Sequence, residues 1–172
     1  MAETETNLED EKSFLKGYHY DATALLLCHK TIGYKTAYDT INEVDKWLNR
    51  ELIGRQYNNP KFKDRRVKFV SFLEQDEKKK SHFHLMFRFG VRERRHQLIK
   101  VLPSVWGKIW KRGTIGSIQY NAGDIKDDAR RERALLRNNN IPHSSFTADD
   151  IYTQIDYYTK QPSVLITYSR HW

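Results

Sequence analysis

The segment 82–89, His-Phe-His-Leu-Met-Phe-Arg-Phe, constrains the fold of this chain more than any other stretch. Side chains of a strand alternate between faces. Phe83, Leu85, Phe87 and Phe89 therefore share one face, and His82, His84, Met86 and Arg88 share the other. The first set needs a covered face; the second suits a face that water or a ligand can reach. Such a strand belongs in an antiparallel sheet with helices on the phenylalanine side. Upstream, 67–74 is rich in Val and Phe, and the charged stretch Gln-Asp-Glu-Lys-Lys-Lys-Ser separates it from 82–89. The two segments are expected to form a hairpin.

The rest of the chain supplies partners for that hairpin. Residues 22–29, Ala-Thr-Ala-Leu-Leu-Leu-Cys-His, suit a central strand. In 36–53, Ala37, Ile41, Val44, Leu48 and Leu52 fall on one helical stripe. Gly, Asn and Pro mark 54–66 as a basic loop. Residues 92–112 read as helical, broken or restarted at Pro103. Residues 113–121 suit a strand, and 126–145 a basic connection with one or two helical turns. Thr147 and Asp150 form a start signal for a helix over 147–160, and 163–168 suits a last strand. The order β-α-β-β-α-β predicts an α+β, ferredoxin-like split β-α-β antiparallel sheet. Helices are expected mainly on one face, with a site on the open face.

Composition narrows the function classes. The chain has 172 residues, enough for one domain, expected over 14–172. Residues 1–13 hold five acids and one base and are expected to be a disordered acidic lead-in. No apolar run is long enough to span a bilayer, and no secretory signal is evident, so no membrane partner is expected. A single cysteine, Cys28, allows neither an internal disulfide nor a cysteine-rich zinc site, and points to a reducing, intracellular setting. The net charge is +8; with −4 in residues 1–13, the folded body carries +12. A basic body of this kind suits a polyanionic partner, nucleic acid foremost.

His82 and His84 lie about 7 Å apart along their strand at the usual rise per residue. Two histidines on a polar face are most often only a solvated face. Glu74 changes this, because it closes the preceding strand eight residues before His82 and the hairpin carries it toward both imidazoles. Two imidazoles and a carboxylate suit Mn²⁺ or Zn²⁺, or Mg²⁺ with phosphate and water completing its shell. Asp76 and Glu77 compete for the carboxylate role but read as charges of a solvated turn. In 150–161, Ile151, Ile155 and Tyr158 form the core stripe of a helix, and Tyr157 lies off it with Thr153, Gln154 and Lys160. A phenol with a pKa near 10 attacks poorly unless its anion is favoured, and Lys160 lies three residues beyond Tyr157.

Together these residues resemble the HUH endonucleases. His-Phe-His matches the His-hydrophobic-His motif of that superfamily. Glu74 resembles the third ligand of its viral and plasmid replication-initiator branch, and Tyr-Tyr-Thr-Lys (157–160) resembles its Tyr-x-x-Lys motif. The resemblance implies a sequence-specific single-stranded DNA endonuclease and ligase that initiates rolling-circle replication. Glu74, His82 and His84 would hold Mn²⁺ or Mg²⁺. Tyr157, with Tyr158 as the alternative nucleophile, would become linked to a 5′-phosphate and leave a free 3′-hydroxyl. Lys160 would stabilise charge on the phosphate or steer the tyrosine. The implied partner is single-stranded DNA, an origin hairpin, with a helicase or host replication proteins acting in trans. The implied location is host cytoplasm for a bacterial replicon and host nucleus for a eukaryotic virus. The 121–146 connection is long for a minimal nuclease domain of this kind, and no phosphate-binding Gly-x-x-x-x-Gly-Lys-[Ser/Thr] loop of a helicase is present.

Candidate DNA contacts are Lys61, Lys63, Arg65 and Arg66; Arg88; Arg92, Arg94 and Arg95; and Lys108, Lys111 and Arg112. Arg130, Arg131, Arg133 and Arg137 form either a further clamp or a solvated helix face. Trp106 and Trp110, four apart, are candidates for base stacking. Alternatives are a single-tyrosine transposase or relaxase, a metal-dependent hydrolase using water, and a non-catalytic nucleic-acid-binding module. The last would display aromatic residues, rather than histidines, on the open sheet face.

Overall fold

A computed structural model describes all residues except 1, 79, 122–125, 161–163 and 171, and the side chains of all but these and 2–7, 126–129 and 143. Six strands form one sheet: β1 (Ala22–Leu27), β2 (Val67–Gln75), β3 (Ser81–Phe89), β4 (Thr114–Asn121), β5 (His143–Phe146) and β6 (Leu165–Tyr168). Their order is β5-β4-β1-β3-β2-β6. The four middle strands are antiparallel and come from a β-α-β-β-α-β unit, the α+β ferredoxin-like arrangement that the sequence predicts. β6 adds antiparallel to β2, and β5 adds parallel to β4. β5 lies where the sequence reads as a connection, because its residues, His-Ser-Ser-Phe, carry little apolar alternation. Ser163, the expected first residue of the last strand, lies outside the described residues.

The β2–β3 hairpin sets the register. Glu74 pairs with His82, Phe72 with His84, and Lys68 with Arg88. Its turn is closed by Asp76, whose Oδ1 accepts the Lys80 N–H at 2.8 Å while its own N–H donates to Lys80 O at 3.0 Å. Gly90 follows the hairpin against the backbone of Asp64, where any Cβ would collide with the Asp64 carbonyl.

Helices α2 (Tyr34–Ile53) and α3 (Leu98–Ile109) cover the phenylalanine face. Ile41, Val44 and Leu48 from α2 and Ile99, Leu102 and Trp106 from α3 are buried with Leu26, Phe69, Phe83, Leu85 and Phe87. Pro103 does not break α3 but lies inside it, preceded by a 3-10 turn at Arg92–Gln97. Burial of Leu102, Val105 and Trp106 around the proline offsets the lost backbone hydrogen bond. Downstream, α4 (Lys126–Asn138) is a full helix rather than one or two turns. It is pinned by Glu132, which meets Arg95 at 2.6 Å in the interior.

The histidine face is not left open. α1 (Ala2–Lys16) and α5 (Ala148–Lys160) roof part of it, burying Leu15, Ile151, Ile155 and Tyr158 against Val70, Phe72 and Met86. The apolar residues that β2 and β3 place among the histidines are what these helices cover. The acidic N-terminal segment is therefore helical, not disordered. Leu15 is fully buried, Lys12 and Lys16 reach Asp156 of α5 at 3.1 and 2.7 Å, and Glu11 accepts from the Tyr168 hydroxyl at 2.8 Å. The start signal of α5 forms as read: Asp150 accepts from the Thr147 N–H at 2.7 Å, and Thr147 Oγ1 accepts from the Asp150 N–H at 3.3 Å. No described helix is long and apolar enough to cross a membrane.

Candidate functional site

Cross-strand pairing brings three ligand atoms together at the turn end of the hairpin. Glu74 Oε2 lies 3.3 Å from His82 Nε2 and 3.0 Å from His84 Nε2. The two imidazoles, on the same face of β3, tilt toward each other to ring centroids 5.0 Å apart. One ligand atom from each residue falls within 4.8 Å of the others, so Glu74, His82 and His84 could hold a metal ion. Among the described residues this is the one such group that includes histidine, cysteine or carboxylate side chains at ligand spacing.

The donor set fits a cation for a further reason. His84 Nε2 is buried and makes no hydrogen bond, despite its closeness to Glu74. Burial, with a smaller effect from His82, pushes the His84 pKa down to about 4, so its imidazole is neutral at pH 7. A neutral, desolvated imidazole nitrogen aimed at a carboxylate and a second imidazole is a poor hydrogen-bonding arrangement and a good ligand set. Asp76 and Glu77 are exposed in the turn, and Asp76 is occupied in closing it.

α5 lies across this site. Tyr158 is on the buried stripe with Ile151 and Ile155, as its spacing predicts. Its ring stacks on Phe72 at 4.5 Å and lies 4.8 Å from the His84 ring. Burial, and then the Glu74 and Tyr157 charges, push its phenol above the ordinary range. Tyr157 is 55% exposed against 4% for Tyr158, and their rings meet edge-on at 5.4 Å. Lys160, the last residue of α5, is exposed. The fold thus brings Tyr158 into ring contact with the triad and leaves Tyr157 at the solvent side of the same helix end.

The basic candidates divide sharply. Arg66 and Arg95 are buried and hold the fold. Arg66 Nε donates to Tyr57 O at 2.8 Å, and Arg95 pairs with Glu132. Neither is free for DNA, which corrects the sequence expectation: both guanidiniums are consumed by local carbonyl and carboxylate acceptors. Arg94 donates to Leu52 O, Arg92 pairs with Asp21 at 3.1 Å, and Lys108 pairs with Glu51 at 3.0 Å. Arg88 shares the histidine face as expected, but its guanidinium lies over the rings of Tyr18 (4.1 Å) and Trp172 (5.4 Å), at the far end of β3 from His82. Lys61 and Arg65 lean on Phe62. Lys63, Lys111 and Arg112 are exposed. Trp106 is buried, stacked at 6.1 Å and 10° on Trp110, and the indole N–H groups donate to Leu27 O and Cys28 O. Trp106 is a packing residue, not a base platform.

Two features escaped the sequence. A cleft of about 210 Å³ beside His84 and Tyr158 is lined by Thr23, Ser117, Gln119 and Gln154. It adjoins a second, of about 330 Å³, with Ser145 and Thr153 in its walls. These uncharged donors and acceptors come from β1, β4, β5 and α5, and only the alternation of Ser117 and Gln119 in β4 hints at a shared face. His29 and Lys30, past the end of β1, also face a cleft.

Comparison with protein-family models, curated proteins and solved structures gives no match.

Proposed function

We propose that this chain is a divalent-metal-dependent endonuclease and ligase of single-stranded DNA, of the HUH class, that initiates rolling-circle replication. The observation that carries the proposal is the Glu74–His82–His84 triad with a tyrosine-bearing helix packed across it. Mn²⁺ or Mg²⁺ held by these three residues supplies Lewis-acid polarisation of the scissile phosphate. The remaining chemistry belongs to the chain. A tyrosine hydroxyl attacks phosphorus, the bond from phosphorus to the 3′ oxygen breaks, and the leaving 3′-hydroxyl takes up a proton as the phenol loses one. The product is a 5′-phosphotyrosine, and attack by a 3′-hydroxyl reverses the step without a nucleotide cofactor. Lys160 stabilises charge on the phosphate.

Tyr157 is the proposed nucleophile, because it is exposed at the surface while Tyr158 is buried between Phe72 and His84. The ring contact with His84 favours a second reading, in which Tyr158 attacks after the helix end shifts. Incubation of labelled single-stranded, hairpin-containing oligonucleotides with Mn²⁺, followed by a denaturing gel, tests both. A covalent adduct lost in Tyr157→Phe and kept in Tyr158→Phe supports the assignment, and the reverse pattern moves the nucleophile to Tyr158. Absence of adduct on any strand that the protein binds sinks the nuclease proposal. Cleavage that survives both changes makes water the nucleophile.

A further inference from the structure

A cleft of about 500 Å³ opens at the carboxyl end of β1. Its charged and ionisable lining consists of His29, Lys30, Lys111 and Arg112 with the buried Cys28 thiol, and no carboxylate. Lys111 and Arg112, in the turn between α3 and β4, have no ion-pair partner among the described residues. A concave surface lined by one sign of charge concentrates ions of the opposite sign. The basic cleft at the other end of the sheet is different: Asp21 and Asp64 lie in its walls, and its Arg88 and Arg92 are engaged.

The walls are held in place by the fold. Trp110 donates its Nε1–H to Cys28 O at 2.9 Å and stacks on buried Trp106. Gly113 lets the turn approach the Trp106 ring, where a Cβ would collide with the indole. His29 adopts a left-handed backbone (φ 59°), and its Nε2 lies 2.7 Å from Thr114 Oγ1. The Lys30 ammonium sits 4.8 Å from the Trp110 ring centre.

The cleft lies at the same end of the sheet as the triad, with Cys28 and Trp110 on the phenylalanine side and the triad on the other. Leu27 pairs with His82, the Cys28 N–H donates to Ser81 O at 3.1 Å, and the Ser81 N–H donates to Lys30 O at 2.9 Å. The cations therefore begin one strand away from a triad residue. Resting on the nuclease reading above, we propose that this cleft is a second phosphate subsite, which takes the phosphodiester backbone flanking the scissile phosphate. Lys111 and Arg112 supply the contacts most exposed to the strand, and His29 and Lys30 complete the basic lining.

The test is equilibrium binding of labelled single-stranded DNA in EDTA, followed by fluorescence anisotropy across a salt series. Each phosphate neutralised on a single strand contributes about 0.7 to the slope of log affinity against log salt. Lys111→Gln/Arg112→Gln is expected to reduce that slope by about 1.4, since two cations are removed. Lys46→Gln/Lys100→Gln, which removes the same charge from α2 and α3, is expected to leave it near the wild-type value. An equal fall in both pairs, or no fall in the first, overturns the proposal. Shortening the strand from one end is expected to weaken wild-type binding and to affect the Lys111/Arg112 variant far less. Tripolyphosphate binding that is lost in that variant, without any such length dependence, assigns the cleft to free polyphosphate and also overturns it. The adduct assay separates the two layers. An adduct with an unchanged slope removes the subsite and keeps the nuclease; a reduced slope without any adduct keeps the strand-binding cleft and removes the nuclease.

Discussion

Glu74→Gln distinguishes a metal-ligating carboxylate from a merely structural one. Glu74 faces both imidazoles at 3.3 and 3.0 Å with only 10% of its side chain exposed. In the metal-free protein Glu74 shares a hydrogen bond with His82, and the amide keeps the side-chain volume. The metal-free stability is therefore expected to change by no more than about 1 kcal/mol, the net worth of one hydrogen bond. With Mn²⁺ at about a hundred times its dissociation constant, the wild type gains about 2.7 kcal/mol by mass action. For a chain of this size that raises Tm by about 5–11 °C. Loss of an outer-shell partner alone costs about 10–100-fold in metal affinity, so loss of one of three direct ligands is expected to cost at least about 100-fold. The same Mn²⁺ concentration then stabilises Glu74→Gln by about 0.4 kcal/mol, a rise in Tm of about 1–2 °C. Thermal unfolding by circular dichroism, after EDTA treatment and with Mn²⁺ restored, reads the difference. Asp76→Asn is the control and is expected to keep the full metal-dependent rise, because Asp76 serves the turn. A wild type without any rise, or a Glu74→Gln variant with the wild-type rise, would refute the ligand assignment.

Three further outcomes concern the scaffold. Glu132→Ala leaves the buried Arg95 guanidinium without its carboxylate and is expected to cost about 3–5 kcal/mol in urea unfolding; a loss below about 1 kcal/mol would mean that Arg95 reaches water. Asp45, buried in α2, has its pKa raised from 3.8 to about 6, chiefly by burial. The folded protein then binds more protons than the unfolded chain between these values, so stability falls as pH rises through that window, by about 3 kcal/mol for this group. Between pH 4 and pH 8 wild type is expected to lose about 3 kcal/mol relative to Asp45→Asn, the depressed His84 pKa and the other titrating groups acting alike in both; parallel behaviour counts against it. Thr147→Ala removes the hydroxyl that caps α5 and is expected to cost about 1 kcal/mol, read as a fall in Tm of about 2–4 °C.

Much of the site was legible because it depends on short-range periodicity. A repeat of two residues sorted His82 and His84 from Phe83 and Leu85 whatever the sheet became, and a charged turn of fixed length implied the hairpin that carries Glu74. The 3.6-residue repeat placed Tyr158 on the buried stripe of α5 and Tyr157 off it, and the Thr147–Asp150 pair marked where that helix starts. These features need only neighbours in the chain.

What tertiary structure alone decided depends on which distant surfaces meet. Positive charge counts the same in a sequence whether a guanidinium is solvated or enclosed, so Arg66 and Arg95 could not be told from Lys111 and Arg112 until packing desolvated the first two and left the others at a cleft. The acidic N-terminal segment has weak reasons of its own to fold; it is helical where Leu15 finds a core and Lys12 and Lys16 find Asp156, 140 or more residues away. The contact between Tyr158 and His84 likewise joins a helix to a strand that are far apart in the chain. The amino-acid sequence by itself determined which way each side chain faces on its own element. Only tertiary structure decided which faces lose water and against whom, because burial and charge pairing are properties of two surfaces, and one segment specifies only one of them.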